Sequence, residues 1–378
     1  MKLLVYVPLL TPRIKYVFNF IFNDILKTQV GFCSNLAEFK ASVLPKITYS
    51  DHPVADEPFF RNTDILLSHT ISSPTIKTTT FGDMIVPFAV DNSSLPFDVF
   101  AASFYFVSRY EEYLPFKPGD DGNYRAECSL QYKLKLLEFP VIDGWAMMLK
   151  NMLLKRYPKL YFGKKTFEFK PLICMYNNND SGTSKLIKHT FSFFIQLSKF
   201  VKPKPVTTVK HTGLQLFLAE QHDRFKINPL YFFKPSQEID PECTRQVLLP
   251  KSYLQLLKGG VISDYRMGYP NTIGFRAGTC TPFFWYDLQL EKTTHLQVYP
   301  IAVNDFILQR NRTFNLEDTL NSWGSIIQNV KLLEGSFYIV WHKKSLPDFG
   351  KGKVGRRLYA QLLSNFLSLP DDIRSEQN

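Results

Sequence analysis

The sequence lacks what a disulfide scaffold, a zinc knuckle or a membrane span would need. Its five cysteines, Cys33, Cys128, Cys174, Cys243 and Cys280, are odd in number and far apart, and no CxxC pair occurs. Neither a disulfide framework nor a zinc knuckle is suggested, and a reducing compartment is the expected setting. No charge-free apolar stretch approaches the roughly 18 residues of a spanning helix, so none is expected. The opening MKLLVYVPLL has one lysine and a short apolar run, as a leader does. However, Pro8, Pro12, Arg13 and Lys15 follow, and no small-residue cleavage site does. Residues 3–7 are therefore expected to form a buried strand, and the chain to be cytoplasmic. The sequons at Asn92 and Asn311 then read as chance matches. A Walker loop and GxSxG are also missing, which removes the P-loop nucleotide-binding and nucleophile-elbow serine-hydrolase signatures.

What is present is length and apolar mass. The chain has 378 residues, 45% of them hydrophobic, with 34 Phe and 19 Tyr. That is enough for two domains with large cores, and core packing is the expected use of the rings. The formal charge is +11. The basic residues are scattered, with clusters at 199–204 and 351–357 but no stripe along one face. A solvated basic surface is expected rather than a nucleic-acid site. Binding of an anionic polymer is a third functional reading and rests on charge alone.

Along the chain, residues 1–50 read strand, helix, strand. Thr11 is placed to cap the helix with Pro12 at its first position, and Ile14, Val17, Phe18, Ile21, Phe22 and Ile25 recur at helical spacing. Short strands are expected within 71–81 and 84–90. A long helix opened by Pro96 is expected over 95–113, ending in Arg109, Tyr110, Glu111, Glu112 and Tyr113. Adjacent carboxylates on a helix point about 100° apart and do not converge, so an ion pair with Arg109 is the expected use of Glu111 and Glu112. Loop 117–124 and a helix over 145–157 follow, with a domain boundary near Pro158–Gly163. Beyond it, strands are expected at 167–176, 229–233, 274–277, 296–303 and 336–341. Helices are expected at 192–200, 214–225, 316–334 and 355–367. Alternation of this kind predicts an α/β protein with a mostly parallel sheet or barrel.

Four strings carry a family resemblance: LPFDVFAASFYFVSRYEEY (95–113), PLYFF (229–233), DYRMGYPNTIGFRAGTCTPFFWYDL (264–288) and GSFYIVWHKKSL (335–346). They resemble bacterial polysaccharide-deacetylase-like proteins, in which an N-terminal domain of unknown function precedes a NodB-homology domain. The resemblance implies residues 1–165 as that N-terminal α/β domain and 166–378 as a deformed (β/α) barrel. It also implies a metal-dependent hydrolase that removes acetyl groups from N-acetylated sugars. In that chemistry a divalent cation, usually zinc, is held by one Asp and two His and acidifies a water. A second Asp takes the proton of that water, a late-strand His protonates the leaving amine, and an Arg orients the base.

Carried over residue by residue, that machinery is incomplete. The T-x-D-x-D string aligns with Leu172-Ile173-Cys174-Met175-Tyr176, which puts Cys174 at the base position and Tyr176 at the metal-ligand position. Asp180 in the following NNNDSG reads as a turn residue. Only residues 234–244 separate PLYFF from Arg245-Gln246, the next landmark, so the stretch that carries the two metal histidines is absent rather than mutated. Arg276 in GFRAGT matches the orienting arginine, and His342 in VWH matches the leaving-group acid. His342 is otherwise an isolated histidine at a strand end. His189, His211, His222 and His295 lack the spacing of a rebuilt metal site, and Cys174 has the context of a buried structural thiol.

The resulting expectation is a truncated deacetylase-type barrel with no resident metal or cofactor. It would bind carbohydrate or a partner without catalysis, within surface-polysaccharide metabolism. The alternative is an active deacetylase with a rebuilt metal site. Arg276 is expected to have found another acid, with Asp264 and Asp287 nearest in sequence, because an unpaired buried guanidinium is costly. The gap in the barrel is expected to be covered by a flanking element or by self-association, near Tyr231, Phe232 and Phe233.

Overall fold

A computed structural model describes residues 2–119, 122–175, 213–232, 247–310, 315–350 and 352–367. Tyr176, Asp180, His189, His211, Phe233, Cys243, Arg245, Gln246, Asn311 and Lys351 lie outside these residues. So do the 199–204 basic cluster, the 234–244 stretch and the helix expected over 192–200.

The first part of the chain runs β1 (Leu3–Tyr6), α1 (Pro12–Phe18), β2 (Val30–Cys33), α2 (Leu36–Ala41), β3 (Lys46–Ser50) and β4 (Phe59–Arg61). A parallel four-stranded sheet results, in the order β2-β1-β3-β4. Leu3 and Val5 are buried in its central strand. Thr11 Oγ1 accepts the Ile14 N–H at 3.1 Å and so caps α1 at Pro12. The helix continues as a π-helical turn, Asn19–Ile25, whose end is closed by Leu26 N–H donating to the Ile21 carbonyl at 3.0 Å. The apolar face read from spacing, Ile14 to Ile25, is buried throughout.

Next come the hairpin β5 (Thr78–Phe81) and β6 (Met84–Pro87), then α3 (Val99–Val107), α4 (Leu130–Lys133) and α5 (Val141–Arg156). The helix expected over 95–113 is shorter. Asp98, not Pro96, opens α3 by accepting the Ala101 N–H at 3.0 Å. The same carboxylate accepts from Tyr49 Oη at 2.8 Å and from both N–H and O–H of Thr63. The helix stops at Ser108 because Arg109 turns into the left-handed region, with φ of 55°, and residues Tyr110–Tyr113 form a separate 3-10 turn.

The second part contains β7 (Glu168–Cys174), α6 (Gly213–Arg224), β8 (Leu230–Phe232), α7 (Lys251–Lys258), β9 (Ser263–Met267), β10 (Phe283–Asp287) and β11 (Lys292–Asn304). It ends with α8 (Phe306–Arg310), α9 (Leu316–Leu332), β12 (Ser336–His342) and α10 (Gly352–Phe366). Parallel pairings link β9 to β11, β11 to β12, β12 to β7 and β7 to β8, and β10 adds antiparallel to β11. Strand alternation sorts the side chains. Phe337, Ile339, Trp341 and Ile173 pack with α6, α9 and α10, while Leu172, Cys174, Ile301, Tyr338 and Val340 form a separate cluster on the other face. That face is concave. A flat sheet would hold strands four pairings apart at roughly 19 Å, yet the Phe232 ring on β8 meets the Tyr265 ring on β9 at 5.6 Å. The parallel run is therefore curled into a half-barrel, and the protein is mixed α/β.

The strand expected at 274–277 is instead a turn. Gly274 has φ of 118°, and a Cβ there would meet the Leu137 carbonyl oxygen at 2.4 Å. Only glycine permits the clasp in which Phe275 N–H donates to that carbonyl at 2.8 Å. The two parts of the chain share a core across this contact. One apolar cluster joins Leu3, Ile14, Phe18 and Phe104 to Val247, Tyr253, Phe283, Trp285 and Val298. The core is thus continuous across the boundary expected at 165.

Glu112 lies at the centre of that junction. Its Oε1 accepts from Arg109 Nε at 2.8 Å and from Arg276 Nε at 2.9 Å, and its Oε2 accepts from Arg276 Nη2 at 2.5 Å. Arg109 also pairs with Glu111 at 2.9 Å and donates to the Arg276 carbonyl. Burial alone would raise the Glu112 pKa, but the Arg276 and Arg109 charges outweigh it and hold the carboxyl below its ordinary 4.5. Removing one member of such a set leaves charge uncompensated in the interior. Glu112→Gln should lower stability by about 3–5 kcal/mol, read as the urea midpoint at pH 7. A depressed folded-state pKa contributes stability above the unfolded value that is lost as pH falls through the folded one. The difference between parent and variant should therefore be constant above pH 4.5 and shrink at lower pH.

Candidate functional site

Four parallel strands end together at one edge of the half-barrel: β11 at Asn304, β12 at His342, β7 at Cys174 and β8 at Phe232. Such C-terminal edges are where α/β folds usually place their chemistry, because the loops that follow can converge there. Cys174 and His342 are direct register partners on neighbouring strands. Cys174 belongs to the concave-face cluster with Val340. His342, two residues beyond Val340, shares that face by strand alternation.

His342 is not isolated, contrary to the sequence reading. Its Nδ1 lies 2.5 Å from Asp305 Oδ1, and its backbone N–H donates to Asp305 Oδ2 at 2.7 Å. Asp305 follows β11 directly and is fully buried. A carboxylate against Nδ1 makes that nitrogen the protonated one, so Nε2 is the nitrogen that gains or loses a proton. The Phe306 ring packs on the imidazole at 4.3 Å, and the Lys344 ammonium lies 4.2 Å over the Phe306 ring. Sequence reasoning missed Asp305 because its partner is 37 residues away. The available signal was an Asn-Asp pair closing an apolar strand.

Arg276 is engaged elsewhere. It is fully buried, and it donates to Glu112 and, at 2.7 Å, to the Val247 carbonyl. The acid it found is therefore Glu112, 164 residues distant in sequence. Asp264 is occupied by Arg266 at 2.6 Å and Tyr253, and Asp287 accepts the Gln289 and Leu290 N–H groups. Tyr176 lies outside the described residues. His222 is held between Tyr359 Oη at 2.6 Å and Tyr231 Oη at 3.3 Å, and burial lowers its pKa to about 4, so it is neutral. His295 is exposed on β11.

Among the described residues no group of three or more His, Cys, Asp or Glu is arranged to hold a metal ion. The donor set at the strand ends, one thiol and a histidine whose Nδ1 is bound to Asp305, does not fit the zinc that the resemblance implies. No helix of the described residues is long and apolar enough to cross a membrane. A family model described as a family of unknown function (DUF7033) matches residues 3–158. No curated protein and no solved structure matches the chain.

Asp305→Ala should leave the buried His342 backbone N–H and ring N–H without their acceptor, at a cost of roughly 2 kcal/mol or more. A urea titration of the variant reads this. A midpoint equal to the parent's would show that the pair carries no net stability.

Proposed function

We propose that this chain is a degenerate relative of the polysaccharide deacetylases. On this reading residues 1–165 form the N-terminal domain and 166–378 a shortened barrel whose strand-end site binds carbohydrate, or a protein partner, without removing acetyl groups. One observation carries it: the thiol of Cys174, at the position of the deacetylase base, stands in register with His342, at the position of the leaving-group acid. The proton-donating half of a hydrolase persists, with Asp305 fixing its ring. The water-activating half is replaced by a thiol, so no carboxylate stands there to accept the proton of water. Arg276, the remnant of the orienting arginine, has its charge matched by Glu112.

Carbohydrate is the favoured ligand because aromatic and hydrogen-bonding side chains meet on the concave face, as sugar binding requires. Tyr265 stacks on Tyr299 at 4.2 Å with Tyr338 edge-on to both. The ring contact between Phe232 and Tyr265 supports closure of the barrel within one chain over self-association at the gap. Among the described residues no disulfide joins Cys33, Cys128, Cys174 or Cys280, which fits a cytoplasmic setting.

Purified without added metal, the protein should contain no stoichiometric zinc, cobalt or nickel by mass spectrometry. It should release no acetate from chito-oligosaccharides, and Tyr176→Asp should not create that activity. About one metal per chain with metal-dependent acetate release would establish the rebuilt-site alternative. Binding that weakens steeply with salt and is indifferent to sugar type would instead favour an anionic-polymer ligand.

A further inference from the structure

We propose that Cys174 is an acyl-acceptor thiol, activated by His342 and positioned by way of Asp305. The inference goes beyond the binding function above and concerns the same strand ends. Cys174 and His342 are register partners on adjacent parallel strands, which lie about 4.8 Å apart. Cys174 lies in the concave-face cluster with Val340, and His342, two residues beyond Val340, shares that face by strand alternation. Asp305 fixes the imidazole through Nδ1 at 2.5 Å and holds the same residue's backbone N–H at 2.7 Å. Phe306 covers one face of the ring at 4.3 Å. A nucleophile, a base and a group that orients the base are the three parts that thiol catalysis on acyl groups requires.

The other described cysteines supply a comparison inside the same molecule. Cys33 Sγ donates to the Asn35 carbonyl at 3.2 Å, and Cys128 Sγ donates to the Lys117 carbonyl at 3.7 Å. Cys280 is packed against Gly335 and beside Asp143, where burial and that carboxylate push its thiol pKa up. Backbone carbonyls cannot take a thiol proton, and the Asp143 carboxylate already accepts from Thr279, Thr281 and the Cys280 N–H. Cys174 alone among these four has a histidine as its register partner.

The step balances without a co-reactant beyond the acyl donor, an activated ester or thioester. The thiol proton passes to His342 Nε2 as sulfur attacks the acyl carbon and the Sγ–C bond forms. The tetrahedral adduct collapses and the bond from carbon to the leaving oxygen or sulfur breaks. His342 returns the proton to that leaving atom. The products are an acyl thioester on Cys174 and a free alcohol or thiol. Cys174 is 1% exposed and His342 5%, which rules out a long-chain acyl donor and leaves a small one such as acetyl as the substrate class.

The test is acetylation of the full chain by p-nitrophenyl acetate at neutral pH, with peptide mapping by mass spectrometry. In the native parent, acetyl should appear on Cys174 before the more exposed Cys128, either persisting or turning over after a burst of nitrophenolate. Cys174→Ala should abolish that label. His342→Gln and His342→Asn should each slow it about a hundredfold. Asp305→Asn should fall between parent and histidine variants, and Asp305→Glu should restore part of the loss, which a role in stability alone would not produce. Three results would overturn the proposal: label on Cys128 or lysines only, Cys174 acetylated equally fast in folded histidine variants, or Cys174 acetylated only once the chain is unfolded in urea. The first and third need no variant. A deacetylase result in the metal assay would leave this readout intact, so the two ideas fail separately.

Discussion

Glu112 joins two guanidiniums that come from opposite ends of the chain's folding problem. Arg109 belongs to the end of the buried helix α3, and Arg276 to a turn that follows β9. Between them the two arginines and the two glutamates, 111 and 112, make an electrically neutral set with no exposed edge. Such a set stabilises little when compared with an apolar replacement, but it penalises any arrangement in which one member is displaced. That asymmetry explains the local geometry. Arg109 takes a left-handed backbone conformation that costs on the order of 1–3 kcal/mol, and the helix ends there, because only that bend brings Arg109, Glu111 and Glu112 to one point. The Gly274 clasp on Leu137 and the Gln131 side chain, which donates to the Phe275 carbonyl at 3.0 Å, close the same junction.

The two longest strings of the family resemblance, 95–113 and 264–288, are therefore the two sides of one contact. Neither could show this alone. A sequence reading saw that Arg109 would neutralise a neighbouring glutamate, because i,i+3 proximity is local. It placed Arg276 with Asp264 or Asp287 because those are near in sequence, while the partner is fixed by tertiary packing. The same division holds elsewhere. The cap at Thr11, the buried face from Ile14 to Ile25 and strands β7, β11 and β12 are written in local spacing and were legible. The early stop of α3 was not, since nine consecutive buried residues leave no polar stripe from which to judge a helix end. The strand expected at 274–277 failed because its alternation of small and apolar residues serves a glycine turn. Strands β9 and β10 went unseen because Asp264, Arg266 and Asp287 break their apolar pattern, each for a local hydrogen bond or ion pair.

At the strand ends the limit of sequence reasoning was of the same kind. Cys174 and His342 were singled out by motif, and their adjacency follows from register. Asp305 was missed because its value depends wholly on which strand lies beside β12. With β11 there, a carboxylate one residue past the strand meets the imidazole of the next strand and turns a lone histidine into an oriented one. The local reading of position 342 as a packed residue was reasonable on spacing, and the neighbouring strand changes it.

The half-barrel is drawn round by the meeting of Phe232 with Tyr265, where among the described residues a ring contact and no strand ladder links β8 to β9. Every other strand boundary in the parallel run is a ladder of amide hydrogen bonds, which fixes register and resists sliding. An edge-to-face contact of two rings fixes neither. It yields gradually under shear, and the bore behind it is as wide as two side chains allow. Evolution could therefore resize this barrel by exchanging one ring, with no strand re-paired and no turn rebuilt.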